Sequence, residues 1–367
     1  MINYFSFENF PLDVREQWKT EIEKTLDQGV FISGEQVKVF EERFATYQGM
    51  SYAIGVGNGY DGLLAAIVAL DLPQKSKIAV PVHTFIACWN AITWAGHIPV
   101  GVEVNSLGNI VSSNLETLNE KVDALLVVHM HGVPVEMESV MKWAYQNQVK
   151  VIEDCSQAHG AEINGIKVGA FGDIGVFSFY PTKNLPAAGD AGGIVTNNKA
   201  YSEKIREFCN YGASKANKYF HKSFGVNSRL DPIQAAVLNV NLIELDNWNQ
   251  KRRDLAEIYI DGINNPTVEV VHLPSTGSVY HHFIVQSPDR DALQSHLKNT
   301  GIGSEIHYPR LASEEWHEIT GADKKENNLS SDIARTFLSL PLYPWMKTEY
   351  VYEVIQAVNS FQSHESY

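Results

Sequence analysis

Two apolar runs in the stretch 149–197 each end in groups able to do chemistry. Val149–Ile152 opens into Glu153-Asp154, and Ile174–Phe179 opens into Tyr180-Pro181-Thr182-Lys183-Asn184. Short apolar runs bounded by polar turns read as buried strands. In open α/β sheets, ligands collect beyond the carboxyl ends of the strands. The spacing therefore predicts Asp154 and Lys183 at one rim, a carboxylate and an amine facing one cavity. Pyridoxal 5'-phosphate (PLP) needs that pair: a lysine for its Schiff base and an acid against its pyridine nitrogen. The carboxylate keeps that nitrogen protonated, because an adjacent opposite charge favours the charged form. The residues alone leave a second reading open, since a lysine in a polar loop is often solvated and a strand-end aspartate is often a cap.

The elements around this pair alternate. Tyr52–Val56 reads as a strand, Gly57-Asn58-Gly59 as a turn and Tyr60–Leu70 as a helix. That layout cradles phosphate with backbone N–H groups and the helix dipole, although a glycine turn also serves simply to connect elements. Ile78–Pro81, Pro99–Val104 and Ala124–His131 read as further strands, with a helix over Val133–Asn147, and the alternation continues to residue 197. Such a pattern predicts a mostly parallel sheet covered by helices. Before it, Asp13–Gln28 and Gly34–Tyr47 have amphipathic helical spacing, with Val37, Phe40, Phe44 and Tyr47 on one stripe. After it come a helix over Ala200–Cys209 and a basic loop with Lys215, Lys218, His221, Lys222 and Arg229. The loop reads as a landing place for phosphates or as a solvated surface. A long helix from Asp231 to Lys251 then continues helical, and a smaller α+β segment follows with His281–Gln286 and Leu338–Pro341 as strands and Arg290–Asn299 and Thr348–Phe361 as helices. The tail His364-Glu365-Ser366-Tyr367 reads as disordered. His129 and His131 could share one side of a strand, but no third ligand stands at fitting spacing, so no metal is expected.

Composition narrows the function. A chain of 367 residues with 44% hydrophobic residues is long enough for two domains. Cys88, Cys155 and Cys209 are odd in number and lack CxxC spacing, which argues for a reducing compartment and a cytoplasmic location. The start lacks the pattern of a secretory signal, and no apolar run reaches membrane-spanning length. A formal charge of −14 argues against nucleic-acid partners. It also requires that an anionic substrate be held by local donors against the overall field.

Four stretches carry a resemblance: EDCSQAHGAEINGIKVGAFGD (153–173), FSFYPTKN (177–184), GDAGGIVTNN (189–198) and GVNSRLDPIQAAVL (225–238). The chain resembles, over nearly its whole length, the sugar-nucleotide aminotransferases of the DegT/DnrJ/StrS family. The resemblance implies a PLP-dependent aminotransferase of fold type I, α/β, with a mostly parallel central sheet and helices on both faces. Residues 1–250 would form the large PLP-binding domain and 251–367 a small α+β domain. It implies Lys183 as the catalytic residue, Asp154 on the pyridine nitrogen, Gln157 on the ring hydroxyl oxygen and Phe85 flat against the ring. Ser178, Asn58 and Gly59 would hold the phosphate, and Asn227 would reach it from the neighbouring subunit of a homodimer. Tyr180, His307 and Tyr308 read as sugar or phosphate contacts. Arg229 reads as a substrate contact or as a brace for its own loop. Some relatives carry His where Lys183 stands and dehydrate the sugar, so Lys183 keeps the aminotransfer reading.

The combination with NYGASK and IHYP is most similar to enzymes that aminate C3 of dTDP-3-keto-6-deoxyhexoses, with glutamate as the amine donor. Amination at C4, an aminocyclitol precursor, or a non-catalytic PLP-binding regulator are the alternatives. Pro186-Ala187-Ala188 and the extra histidine in Tyr280-His281-His282 depart from the usual pattern and bear on the sugar pocket.

Overall fold

The structure is a computed structural model that describes residues 1–214, 217–271, 277–322 and 328–362. Lys215 and the tail 364–367 lie outside the described residues, as does the side chain of Lys218.

Seven strands form the central sheet: β1 (Tyr52–Val56), β2 (Lys77–Pro81), β3 (Ile98–Val102), β4 (Ala124–Val128), β5 (Lys150–Asp154), β6 (Ile174–Ser178) and β7 (Gly192–Thr196). Their order is β1-β7-β6-β5-β4-β2-β3. The contiguous pairs from β6 to β3 are parallel, and β7 alone runs against the rest. Side chains alternate across a strand, and both faces here are apolar. Ile78, Val80, Leu126 and Ile152 pack beneath α3 (Gly59–Ala69) and α4 (Ala87–Trp94). Ala79, Leu125, Val127 and Val151 pack on the opposite face with Val140 and Ala144 of the helix Met137–Asn147. Burial on both faces is what a parallel sheet covered by helices demands.

The N-terminal helices α1 (Leu12–Gln28) and α2 (Glu35–Gln48) match the amphipathic reading. Phe40 and Phe44 stack at 5.5 Å and meet Phe177 and Phe179 edge-on, so the α2 stripe anchors the strand that leads to Lys183. A 31-residue helix, Pro232–Gly262, runs without a break through the boundary expected between residues 250 and 251. Beyond it lies a three-stranded antiparallel sheet of Glu269–Val270, Phe283–Gln286 and Phe337–Leu340.

Several elements differ from the sequence reading. β4 stops at Val128 rather than His131, because the chain turns there and His131 takes φ 60°. The helix expected from Val133 begins at Met137. Pro134 pushes the residue before it into extended backbone, and Val133 has φ −97° and ψ 122°. Helices Ala312–Thr320 and Asn328–Thr336 were not anticipated.

Candidate active site

A cavity of about 440 Å³ opens at the carboxyl ends of β5 and β6. Asp154 ends β5 and is buried, 7% exposed. One carboxylate oxygen accepts the Ser156 N–H at 2.9 Å, and the other accepts the Cys88 thiol at 3.3 Å. Both donors fix the carboxylate's orientation without neutralising it. Lys183 lines the same cavity. Its backbone N–H donates to the Tyr180 carbonyl at 2.8 Å, which closes a tight turn after β6. The next residue, Asn184, is buried and pins that turn. Its amide donates to Asn249 Oδ1 at 2.8 Å and to the Val279 carbonyl at 3.0 Å, and its Oδ1 meets His281 Nδ1 at 2.9 Å. The lysine turn is thereby tied both to the long helix and to the segment at Val279 and His281.

Burial pushes the Lys183 amine down to about 8, while the Asp154 carboxylate pulls the other way. A neutral amine is the form that attacks a carbonyl carbon. The rate at which apoprotein takes up PLP is therefore expected to rise with pH and level off above about 8. Stopped-flow absorbance across pH 6 to 10, a range chosen at roughly two units either side, checks this; a flat profile contradicts it.

The opposite end of the cavity suits an anion. Gly59 is the first residue of α3, and Asn58 caps the helix by accepting the Asp61 N–H at 2.8 Å. A side chain at Gly59 would stand 2.7 Å from Ser178 Cβ, and one at Gly192 would stand 2.5 Å from the Asn58 backbone. These two glycines allow a helix N-terminus and a serine hydroxyl to close on one spot, a ready anion site. Phe85 is 54% exposed despite its size, so it is not a core residue; its ring lies 5.4 Å from that of Tyr308. Gln157 accepts the His131 N–H at 2.7 Å and donates to the Tyr308 hydroxyl at 3.2 Å.

His281, His282 and His307 form the remaining wall. The rings of His282 and His307 stack at 3.9 Å, and His307 Nδ1 meets Ser339 Oγ at 2.9 Å. Burial, with the nearby Lys183 charge, pushes His307 down to about 4. Burial likewise pushes His281 and His282 well below the ordinary range. The wall is thus neutral at pH 7 and adds hydrogen-bonding capacity rather than charge.

Most of the expected site residues converge here: Asn58, Gly59, Phe85, Asp154, Gln157, Ser178, Tyr180, Lys183, His307 and Tyr308 all line this cavity. Asn227 and Arg229 do not. Asn227 is exposed and bridges Asn210. Arg229 donates to Asn210 Oδ1 at 3.2 Å, a brace between two loops. Thr84, Asp190, His281 and His282 also line the cavity and were not singled out as site residues; the unusual Tyr280-His281-His282 was the one available hint. The metal pairing fails for a structural reason. His129 Nδ1 accepts the Val135 N–H at 3.0 Å and His129 Nε2 meets Glu153 at 3.0 Å, whereas His131 meets His282. Glu153 also accepts three backbone N–H groups. In the His129–Glu153–Cys155 cluster, His129 and Glu153 therefore have their lone pairs committed to hydrogen bonds.

The donor set fits PLP: an amine and a carboxylate at one end, an anion cradle at the other and an exposed aromatic face between. Comparison with known proteins agrees. The chain is 38% identical over 372 residues to the dTDP-3-amino-3,6-dideoxy-alpha-D-galactopyranose transaminase of Aneurinibacillus thermoaerophilus, covering 98% of this chain and 99% of that one. It superimposes on Streptomyces venezuelae DesV, crystallised with a ketimine intermediate, with a TM-score of 0.91 and 35% identity over 98% of this chain and 97% of that one. It also superimposes on NtdA of Bacillus subtilis, crystallised with the cofactor PMP, with a TM-score of 0.88 and 26% identity over 95% of this chain and 82% of that one. The model of the DegT/DnrJ/EryC1/StrS aminotransferase family matches residues 13–359, and the chain belongs to that family of PLP-dependent sugar aminotransferases.

Proposed function

We propose that this chain moves an amino group from glutamate to C3 of a dTDP-linked 3-keto-6-deoxyhexose, as a cytoplasmic homodimer. The observation that carries the reading is the Lys183 amine and the Asp154 carboxylate on the walls of one cavity. PLP, when bound, supplies the electron sink for the pair released as the donor's α-carbon loses its proton. In this reading Lys183 Nζ takes up and returns that proton. Asp154 holds the proton on the ring nitrogen, and Gln157 bonds the ring hydroxyl oxygen. Phe85 covers one ring face and excludes water there. The α3 N-terminus, Asn58 and Ser178 hold the phosphate. Tyr180, His307 and Tyr308 orient the sugar.

The similarity to a dTDP-3-amino-3,6-dideoxyhexose transaminase supports the position of amination and the nucleotide. Exposed Phe31 and Ile32, together with Phe220 in the strand Asn217–His221 and Phe224 after it, support burial against a second copy, since apolar surface of that kind marks interaction sites. Asn227, exposed a few residues further on, is then free to reach a neighbour's phosphate, with Arg229 bracing the segment. Three buried free cysteines accord with a reducing compartment.

The test is a panel of keto-sugar nucleotides with glutamate as donor, and NMR of each product to locate the nitrogen. The dTDP-3-keto sugar is expected to exceed its 4-keto isomer in kcat/KM by about a hundredfold or more, the range open to a site built to bond substrate hydroxyls. Preferential turnover of the 4-keto isomer overturns the C3 assignment.

A further inference from the structure

Behind the histidine wall lies a second chamber of about 180 Å³. It shares Thr182, His281, His282 and His307 with the main cavity, and Tyr4, Phe5, Arg252 and Leu342 complete it. Arg252 projects from the long helix and is 1% exposed. One of its terminal nitrogens donates to the carbonyls of Tyr280, His281 and Leu342, at 3.1, 3.3 and 2.8 Å. Its Nε has no hydrogen-bond partner among the described residues. Among the described residues no carboxylate pairs with it.

That is an expensive arrangement for an isolated protein. A guanidinium stays charged at neutral pH, and a buried charge lacking a counter-charge is strongly unfavourable. The bonds to carbonyls solvate one edge of the ion and do not neutralise it. The neighbouring histidines are held neutral by burial, so they neither repel an anion nor supply one. An anion in the chamber would meet the unused Nε–H donor with a charge-assisted bond, the stronger kind. Water takes about 30 Å³ per molecule in the liquid, so the chamber has room for a carboxylate on a short methylene arm. A monocarboxylic amino acid has a single carboxylate, one bond from the α-carbon that must lie at Lys183, and so brings no second anion to a chamber behind the wall. A dicarboxylic one has a second carboxylate a few bonds away.

We propose that this chamber receives the side-chain carboxylate of a dicarboxylic amine donor, with Arg252 as its counter-charge and the selector for that donor class. The inference rests on the reading of glutamate as amine donor. Arg252 is a specificity residue here and takes no part in proton transfer.

Two variants of the holoenzyme test it. Arg252→Lys keeps a positive charge and shortens the donor array. Leu342→Phe fills the chamber while leaving the three carbonyl bonds intact, and so guards against an arginine variant that folds poorly. In both, the KM for glutamate is expected to rise by about tenfold or more while that for the keto sugar stays within about twofold, as loss of one charge-assisted bond implies. Glutarate, which has two carboxylates and no amine, serves as an unreactive probe. It is expected to raise the Tm of the wild type but not of either variant, and butyrate to raise none.

Glutamate KM values unchanged in both variants overturn the proposal. So does an equal rise in the KM values of both substrates, or a glutarate shift that survives in both variants. A wild type that refuses glutamate yet shows an Arg252-dependent glutarate shift would instead fail the donor reading and leave the anion site standing.

Discussion

Lys183→Ala lowers kcat by roughly ten-thousand-fold, the upper range for loss of a positioned acid–base group, and leaves the fold intact. The amine lies against the cavity in a turn held by Asn184, and that neighbour's three hydrogen bonds do not involve the lysine side chain. Burial already disfavours the charged amine, so truncation removes an unfavourable group rather than a structural tie. Tm therefore holds or rises. Lys183→Arg separates charge from chemistry: a guanidinium stays protonated across the accessible pH range and can neither attack a carbonyl carbon nor accept a proton. It should be as inactive as the alanine variant. Methylamine added to the alanine variant should restore part of the rate, because the vacated volume opens on the cavity. Retention of more than about a tenth of wild-type turnover in Lys183→Ala would remove the lysine from its central place, since loss of such a group is worth at least about a hundredfold.

How much of this was legible beforehand follows from how local each signal is. Asp154 and Lys183 end apolar runs, and strand-end geometry brought them to one rim without knowledge of strand order. The same holds for the glycine turn before α3, where strand, turn and helix are contiguous. The strands themselves were visible because both sheet faces are buried and each reads as a short apolar run. The histidine wall was not visible in that way. His281, His282 and His307 arrive from a unit about a hundred residues further along the chain and meet the site through packing, which leaves no local periodicity. Arg252 was hidden differently. It sits in a polar helical stretch, QKRRD, where lysine and arginine ordinarily face solvent, and only the tertiary structure reveals that Arg252 turns inward while Arg253 bonds Gln250 on the surface. Asn227 and Arg229 mark the opposite case: their motif is specific, yet within one chain they stay out of the cavity.

Glu153→Ala destabilises the protein by about 3–5 kcal/mol, the sum expected for several stranded buried donors at about 1–3 kcal/mol each after partial relaxation. In sequence Glu153 looks like a companion of Asp154, and strand alternation sends the two to opposite faces. Glu153 is fully buried. One oxygen accepts the N–H groups of Phe171 and Gly172, at 2.8 and 2.7 Å, and the other accepts that of Gly169 at 2.8 Å and meets His129 Nε2 at 3.0 Å. Because His129 Nδ1 accepts the Val135 N–H, the ring proton sits on Nε2 and points at the carboxylate. All four contacts are donors converging on one acceptor group. Alanine strands three backbone N–H groups and an imidazole N–H in a dry interior, where each unmade bond carries its full desolvation penalty. Gln at this position keeps one acceptor oxygen but turns an NH₂ toward donors, so it recovers only part of the loss. The clamped loop 169–172 feeds β6, which ends at Ser178, and β5 carries Asp154. Urea unfolding at fixed protein concentration measures the change, and activity per folded molecule measured alongside it should fall too, because the anion cradle and the acid lose their shared anchor. A destabilisation below about 1 kcal/mol, the ordinary level for a replaceable surface bond, would mean that the loop finds other acceptors and that Glu153 is no more than a neighbour of the catalytic carboxylate.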